Sequence, residues 1–207
     1  MKRTNAEIQP IKLNQTLSRF TILFSLFGIL VLASCGEDYL PKPRGYFRID
    51  LPVKNYQLYQ SQCPLEFEAP SYSKVQLFTE NGSADSCWFN IIFPKFNARI
   101  YCTYLPVNNN ITELADDAYQ FAFKHEMKAD AIQRTYFDDK SRGLYGIMYD
   151  IEGEAASQVQ FFLTDSTKHY LRGALYFDNR PNQDSLAPVL DFIRQDIVRI
   201  TETLRWK

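Results

Sequence analysis

The sequence predicts an α+β fold: a single domain, mostly antiparallel sheet, with two main helices packed on it. Three observations predict it. First, residues 88–93 (WFNIIF) and 98–105 (ARIYCTYL) are apolar, β-prone runs joined across Pro94 to Asn97, the pattern of a hairpin. Second, four more such runs follow at 132–137, 143–151, 157–163 and 169–177, with connections too short for a parallel return, so neighbours must be antiparallel. Third, the spans 113–129 and 185–204 have helical spacing of their apolar residues.

The chain has 207 residues. It starts with Lys2, Arg3, Lys12 and Arg19, then an apolar run from Phe20 to Ala33 that closes on Leu32-Ala33-Ser34-Cys35. That run is short for crossing a hydrocarbon core of roughly 30 Å but suits an export signal. Small residues before a cysteine fit a peptidase cleft, and the thiol can become the thioether that carries lipid. The pattern resembles a bacterial lipoprotein signal. Residues 1–34 are therefore expected to be removed, Cys35 to be lipidated, 35–45 to form a short proline-stiffened tether, and 46–207 to fold as the single domain.

Within that domain, 46–51 (YFRIDL) is expected to be a short strand ending at Pro52, and 56–70 to be irregular, broken by Pro64 and Pro70. A strand is expected near 75–78, then a turn over 80–86 marked by Asn81-Gly82. In the hairpin, Ala98, Ile100, Cys102 and Tyr104 share one face, and Arg99, Tyr101 and Thr103 the other. Thr112 is placed to cap a helix over 113–129, with Leu114, Ala118, Phe121 and His125 on one stripe. In the last strand, Leu171, Gly173, Leu175 and Phe177 face one way, and Tyr170, Arg172, Ala174 and Tyr176 the other. Ser185 can cap the final helix, with Pro188 in its first turn. Its stripe of Leu186, Leu190, Ile193, Ile197, Ile200 and Leu204 is the strongest helix signal in the chain, and Trp206 is expected to pin its end.

Charge narrows the function classes. The whole chain has a formal charge of -1, and the segment before Cys35 is basic, so the remainder is acidic overall. It has no basic stripe to neutralise a phosphate backbone, which argues against nucleic acid as a partner. With Cys35 assigned to lipid, Cys63, Cys87 and Cys102 are left in a compartment that permits disulfides. One pair and one buried thiol are expected: Cys63 with Cys87, Cys63 with Cys102, or Cys87 with Cys102. Two histidines and no Cys-x-x-Cys give a metal cluster little to draw on, so neither metal nor cofactor is expected.

Candidate chemistry is sparse. Lys124-His125 could serve acid–base work, although a histidine closing a helix face is the simpler reading. Asp165, Ser166 and His169 lie within one short segment, yet a hydrolytic triad needs a spatial order and an oxyanion hole that proximity in sequence does not supply. A tight turn with Asp165 and Ser166 bonded to nearby backbone is the simpler reading there too. The preferred candidates form a binding patch. Arg44, Tyr46 and Arg48 lie just beyond the lipid, and Tyr170, Arg172 and Tyr176 alternate on one strand face; the competing expectation is that the C-terminal helix covers these tyrosines.

Several segments also carry a family resemblance. Residues 39–46 (YLPKPRGY), 87–90 (CWFN), Lys124-His125, 164–173 (TDSTKHYLRG), 181–188 (PNQDSLAP) and 204–207 (LRWK) resemble the gliding motility-associated lipoproteins of the GldD family of Bacteroidota. The resemblance implies a lipid-anchored envelope component, with its domain facing the periplasm and the membrane undetermined, needed for gliding and the linked type IX secretion machinery. Its implied partners are other membrane proteins of that apparatus and the bilayer itself. It implies no catalytic residues. The alternative function is a ligand-binding or hydrolytic domain using His125 and His169. The order of elements also resembles the Mog1/PsbP-like group, a likeness of fold that does not transfer function.

Overall fold

The computed structural model describes residues 49–60, 63–78, 87–124, 129–178 and 183–207. In chain order the elements are β1 (Tyr56–Gln60), β2 (Leu65–Pro70), β3 (Lys74–Phe78), β4 (Cys87–Phe93), β5 (Ala98–Pro106), α1 (Ile111–Phe123), β6 (Ala129–Asp139), β7 (Leu144–Gly153), β8 (Val159–Thr164), β9 (His169–Phe177), α2 (Gln183–Thr203) and β10 (Arg205–Trp206). Seven strands form one antiparallel sheet in the order β3-β4-β5-β9-β8-β7-β6, and β1-β2-β10 form a smaller one. This is the expected α+β class, with two helices on a mostly antiparallel sheet.

Two cores lie on opposite faces of the large sheet. On one face, Phe89, Ile91, Ile100, Cys102, Phe161, Leu163, Leu171 and Leu175 pack against Phe67 of the small sheet and against Phe192, Ile193, Ile197 and Ile200 of α2. Gly173 belongs to this face, and a Cβ there would collide with the Phe161 ring lying across it. On the other face, Tyr149, Ile151, Phe162 and Tyr170 are covered by Leu114, Ala118 and Ala122 of α1. The topology explains that cover: the chain leaves β5 and must reach β6 at the far edge, so α1 crosses over β9, β8 and β7. Among the described residues, no helix lies over that face of β3 and β4, on the other side of β5.

Several expectations need correction. Residues 49–51 are not strand, and 46–48 lie outside the described residues. The segment expected to be irregular instead forms β1 and β2, because Leu65, Phe67 and Ala69 alternate into the core while Glu66 and Glu68 point outward. The helix α1 begins at Ile111 with Asn110 as its N-cap, rather than after a Thr112 cap, and Ala129 already belongs to β6. Its buried stripe is Leu114, Ala118 and Ala122, which leaves Phe121 outside. Likewise α2 starts at Gln183, so Pro188 lies inside the helix, where it cannot donate to the carbonyl of Asp184. Trp206 does not cap α2 but extends the small sheet, pairing with Leu65. The Asn81-Gly82 turn lies outside the described residues.

Cys63 and Cys87 form a disulfide with their Cα atoms 5.8 Å apart, joining the segment before β2 to the first residue of β4, and so the small sheet to the large one. Cys102 is a free, buried thiol, pushed well above the ordinary range by burial.

Candidate interaction surface

The register of the large sheet determines what the uncovered area presents. Trp88 on β4 stands opposite Thr103 on β5, which stands opposite Arg172 on β9; one step along, Asn90, Tyr101 and Ala174 are aligned, then Ile92, Arg99 and Tyr176. Residues opposed across antiparallel strands share a face, so all nine point away from the α2 core. Trp88 is 57% exposed and Tyr101 44%. Tyr176 is half-buried and meets Tyr101 edge to face at 5.5 Å, an arrangement suited to the ring quadrupoles. Arg99 lies over the Tyr101 ring and is paired to Asp178 at 2.5 Å.

Where the bare face meets α1, Phe121 is 42% exposed and its ring stacks on the Arg172 guanidinium, 4.4 Å from the centroid. Arg172 also donates to Oε1 of Gln160 at 2.8 Å. Burial pushes the Arg172 pKa down from its ordinary value, and a guanidinium keeps its proton in proteins. Lys124 also lies over the Phe121 ring, with Nζ 4.7 Å from its centroid. Among the described residues, Lys74, Lys124 and Arg172 have no carboxylate partner. The face is thus aromatic with a cationic margin.

The structure separates the residues that were expected to share a patch. Arg172 and Tyr176 belong to the face just described. Tyr170 does not: it is 2% exposed, stacks on Phe162 and donates its hydroxyl to the carbonyl of Leu114 at 3.0 Å. The covering helix is α1, not the C-terminal helix, which packs on the opposite face. Arg44, Tyr46, Arg48, Cys35 and His125 lie outside the described residues.

The segment 164–169 is a turn. Oδ1 of Asp165 accepts from the backbone N–H groups of Thr167, Lys168 and His169 at 2.8–2.9 Å. Burial pushes the Asp165 carboxyl up, but these three donors outweigh it and hold the pKa below the usual carboxylate range. Ser166 adopts a left-handed conformation (φ 67°), and its backbone N–H donates to the hydroxyl of Thr164. His169 bonds through Nδ1 to the Tyr104 hydroxyl at 2.9 Å and stacks on Trp206, ring centroids 5.2 Å apart. The Asp165 oxygen that would orient an imidazole is therefore engaged by backbone, and the imidazole is held between two aromatic rings.

A second polar cluster was not anticipated from the sequence. Asp196 on α2 is fully buried and accepts from Nζ of Lys54 at 2.6 Å and from the hydroxyls of Tyr56 and Tyr72 at 2.9 and 2.8 Å. Lys54 also donates to the carbonyl of Phe192 and lies 3.5 Å from the centroid of its ring. Burial, reinforced by the hydrogen bond to Asp196, pushes Tyr56 up to about 12 and Tyr72 higher still, while burial lowers Lys54. This cluster fastens the segment before β1 to the centre of α2. The signal was present: Asp196 lies one turn after Phe192 and next to Ile197, a carboxylate on the apolar side of the helix. Among the described residues, no three His, Cys, Asp or Glu side chains are grouped to hold a metal, and no helix is long and apolar enough to cross a membrane.

The fold is an α+β domain with an exposed aromatic sheet face. Residues 36–206 match the family described as "Gliding motility lipoprotein GldD", and the chain belongs to that family. The description names a motility lipoprotein rather than a class of enzyme, and it implies a membrane-anchored place in the cell envelope. No curated protein matches the chain. Among solved structures it is similar to cyanobacterial PsbP (CyanoP) from Synechocystis, with 11% identity over 78% of this chain and 98% of that one and a TM-score of 0.47.

Proposed function

We propose that the chain is a component of the gliding motility apparatus and of the linked type IX secretion machinery, held to a membrane by lipid on Cys35, with its domain facing the periplasm. It works by protein–protein contact and catalyses no reaction. The observation that carries this reading is the bare half of the sheet face, where Trp88, Tyr101 and Phe121 are each more than two-fifths exposed beside Arg172. Large aromatics and arginine are the residues in which the energetic centres of interfaces are enriched. The margin of Lys74, Lys124 and Arg172 suits a partner that presents carboxylates around an apolar centre. The non-catalytic reading is supported by the turn at Asp165, whose carboxylate is taken up in holding its own loop.

The test is a crosslinking pull-down from intact cells with the tagged chain, the unanchored Cys35→Ala form and Trp88→Ala/Arg172→Glu. Recovery of gliding or secretion membrane proteins should fall with Trp88→Ala/Arg172→Glu while its thermal unfolding stays cooperative. Equal recovery from both anchored forms would remove the bare face from the interface. Recovery of no protein of this apparatus would sink the proposal itself.

A further inference from the structure

β6 is an outer strand of the large sheet, and among the described residues nothing pairs with its free edge. It is 11 residues long and has no proline. Edge strands generally carry devices that prevent pairing with another chain, such as bulges, prolines or charged side chains. Here the only irregularity in register lies at the start, between Ala129 and Ala131, and residues 132–139 pair regularly with β7. The charges in that regular stretch are mixed. Arg134 and Asp138 lie on the same face, with Tyr136, 67% exposed, midway between them. The Arg134 guanidinium is positioned by the Tyr119 and Phe123 rings, at 5.2 and 5.0 Å.

We propose that this edge is an interface between two copies of the chain, joined antiparallel about a two-fold axis that runs perpendicular to the sheet, midway between the two copies of Tyr136. Such an axis opposes residues equally distant from position 136. Arg134 then meets Asp138 of the second copy, and Asp138 meets its Arg134, so both charge pairs form at once; Thr135 meets Phe137 and Tyr136 meets itself. The other registers do less: centring on Thr135 opposes Asp130 to Lys140, but the first lies in the irregular stretch and the second beyond the end of the strand. Centring on Arg134 opposes it to itself and sets Asp130 against Asp138. Centring on Phe137 sets Arg134 against Lys140, and centring on Ile132 carries the Ala129–Ala131 irregularity into the pairing. Opposed like charges destabilise a strand pair and opposed unlike charges support it, so the edge is self-complementary in this register. The resulting sheet of two copies leaves the bare face free, because β6 and β3 are at opposite ends of the strand order.

The test uses the full chain in cell membranes, with cysteine introduced at Tyr136 or, for comparison, at Gln133. Opposed residues have Cβ atoms about 4.5–5.5 Å apart, close enough for a disulfide after small adjustment, whereas position 133 is several residues from its own copy. Cys63 and Cys87 are already bonded and Cys102 is buried, so they do not compete. Tyr136→Cys should give a covalent dimer on oxidation, and Gln133→Cys far less. Adding Arg134→Asp should reduce the dimer severalfold, and adding Asp138→Arg to that should restore it. A Tyr136→Cys chain that reacts with maleimide yet gives no dimer would overturn the proposal. So would equal dimer from both positions, crosslinking only to a different protein, or failure of the charge exchange to restore it.

Discussion

Replacing Asp196 with alanine removes, at a fully buried position, the acceptor that three donors share. Asp196 is fully buried, whereas Lys54 keeps 25% of its side chain exposed. Breaking a buried ion pair by deleting one partner costs about 3–5 kcal/mol, because the remaining charge is left without compensation. Lys54 can turn partly to solvent, which places the loss of its pairing near the lower end. The Tyr56 and Tyr72 hydroxyls lose bonds to a charged group, but both side chains are only half-buried and can reach water. Asp196→Ala should therefore destabilise by about 3 kcal/mol, and Tyr72→Phe, which deletes one charge-assisted bond and keeps the ring packed against Phe192, by about 1.5 kcal/mol. With a urea slope near 2 kcal/mol/M, the Asp196→Ala midpoint should fall by about 1.5 M. Lys54→Met/Asp196→Leu should recover part of this loss, since a packed apolar pair leaves no charge stranded. Urea unfolding followed by tryptophan fluorescence measures all four proteins. A loss below about 1 kcal/mol for Asp196→Ala, the range of an exposed pair, would refute the reasoning.

Three other outcomes follow from the packing. Gly173→Ala places a methyl group where the Phe161 ring lies, so it should cost about 1–3 kcal/mol and lower the urea midpoint without changing the slope. The Cys102 thiol should resist alkylation in the folded protein and react only as fast as the core opens; fast labelling in native buffer would contradict its burial. The Asp165 carboxyl has a folded pKa below its unfolded value, so its contribution to stability is present above the unfolded value, near pH 4, and is lost as pH falls through the folded one. Asp165→Asn should thus lose stability at pH 7 and show a shallower further loss between pH 4 and 2, measured by urea midpoints across that range.

Much of the fold could be read in the sequence because its periodicities are clean. The alternation in 169–177 separates Leu171 and Leu175 from Tyr170 and Arg172, and the structure places the two sets on opposite faces of the sheet. The ladder of short turns after β6 left antiparallel pairing as the only geometry. What was missed has local causes. Pro64 and Pro70 masked the Leu65-Phe67-Ala69 alternation, although a proline before a strand and one at its last position interrupt nothing inside it. Tyr170 shares a face with Arg172 and Tyr176, but whether that face is covered depends on the path of α1 from β5 to β6. That path is a long-range property of strand order, which no local pattern encodes. The same route leaves Trp88 and Tyr101 bare, so the candidate surface could be composed from the sequence only after the topology was known.

The most direct measurement is photocrosslinking in living cells from single positions on the domain. Probes at Trp88, Tyr101 and Phe121 should each capture the same membrane protein, while a probe at Gln195, on the exposed side of α2, should capture none of it. If the bare sheet face yields no adduct, or Gln195 yields the same one with equal efficiency, the face is not the surface through which this protein acts.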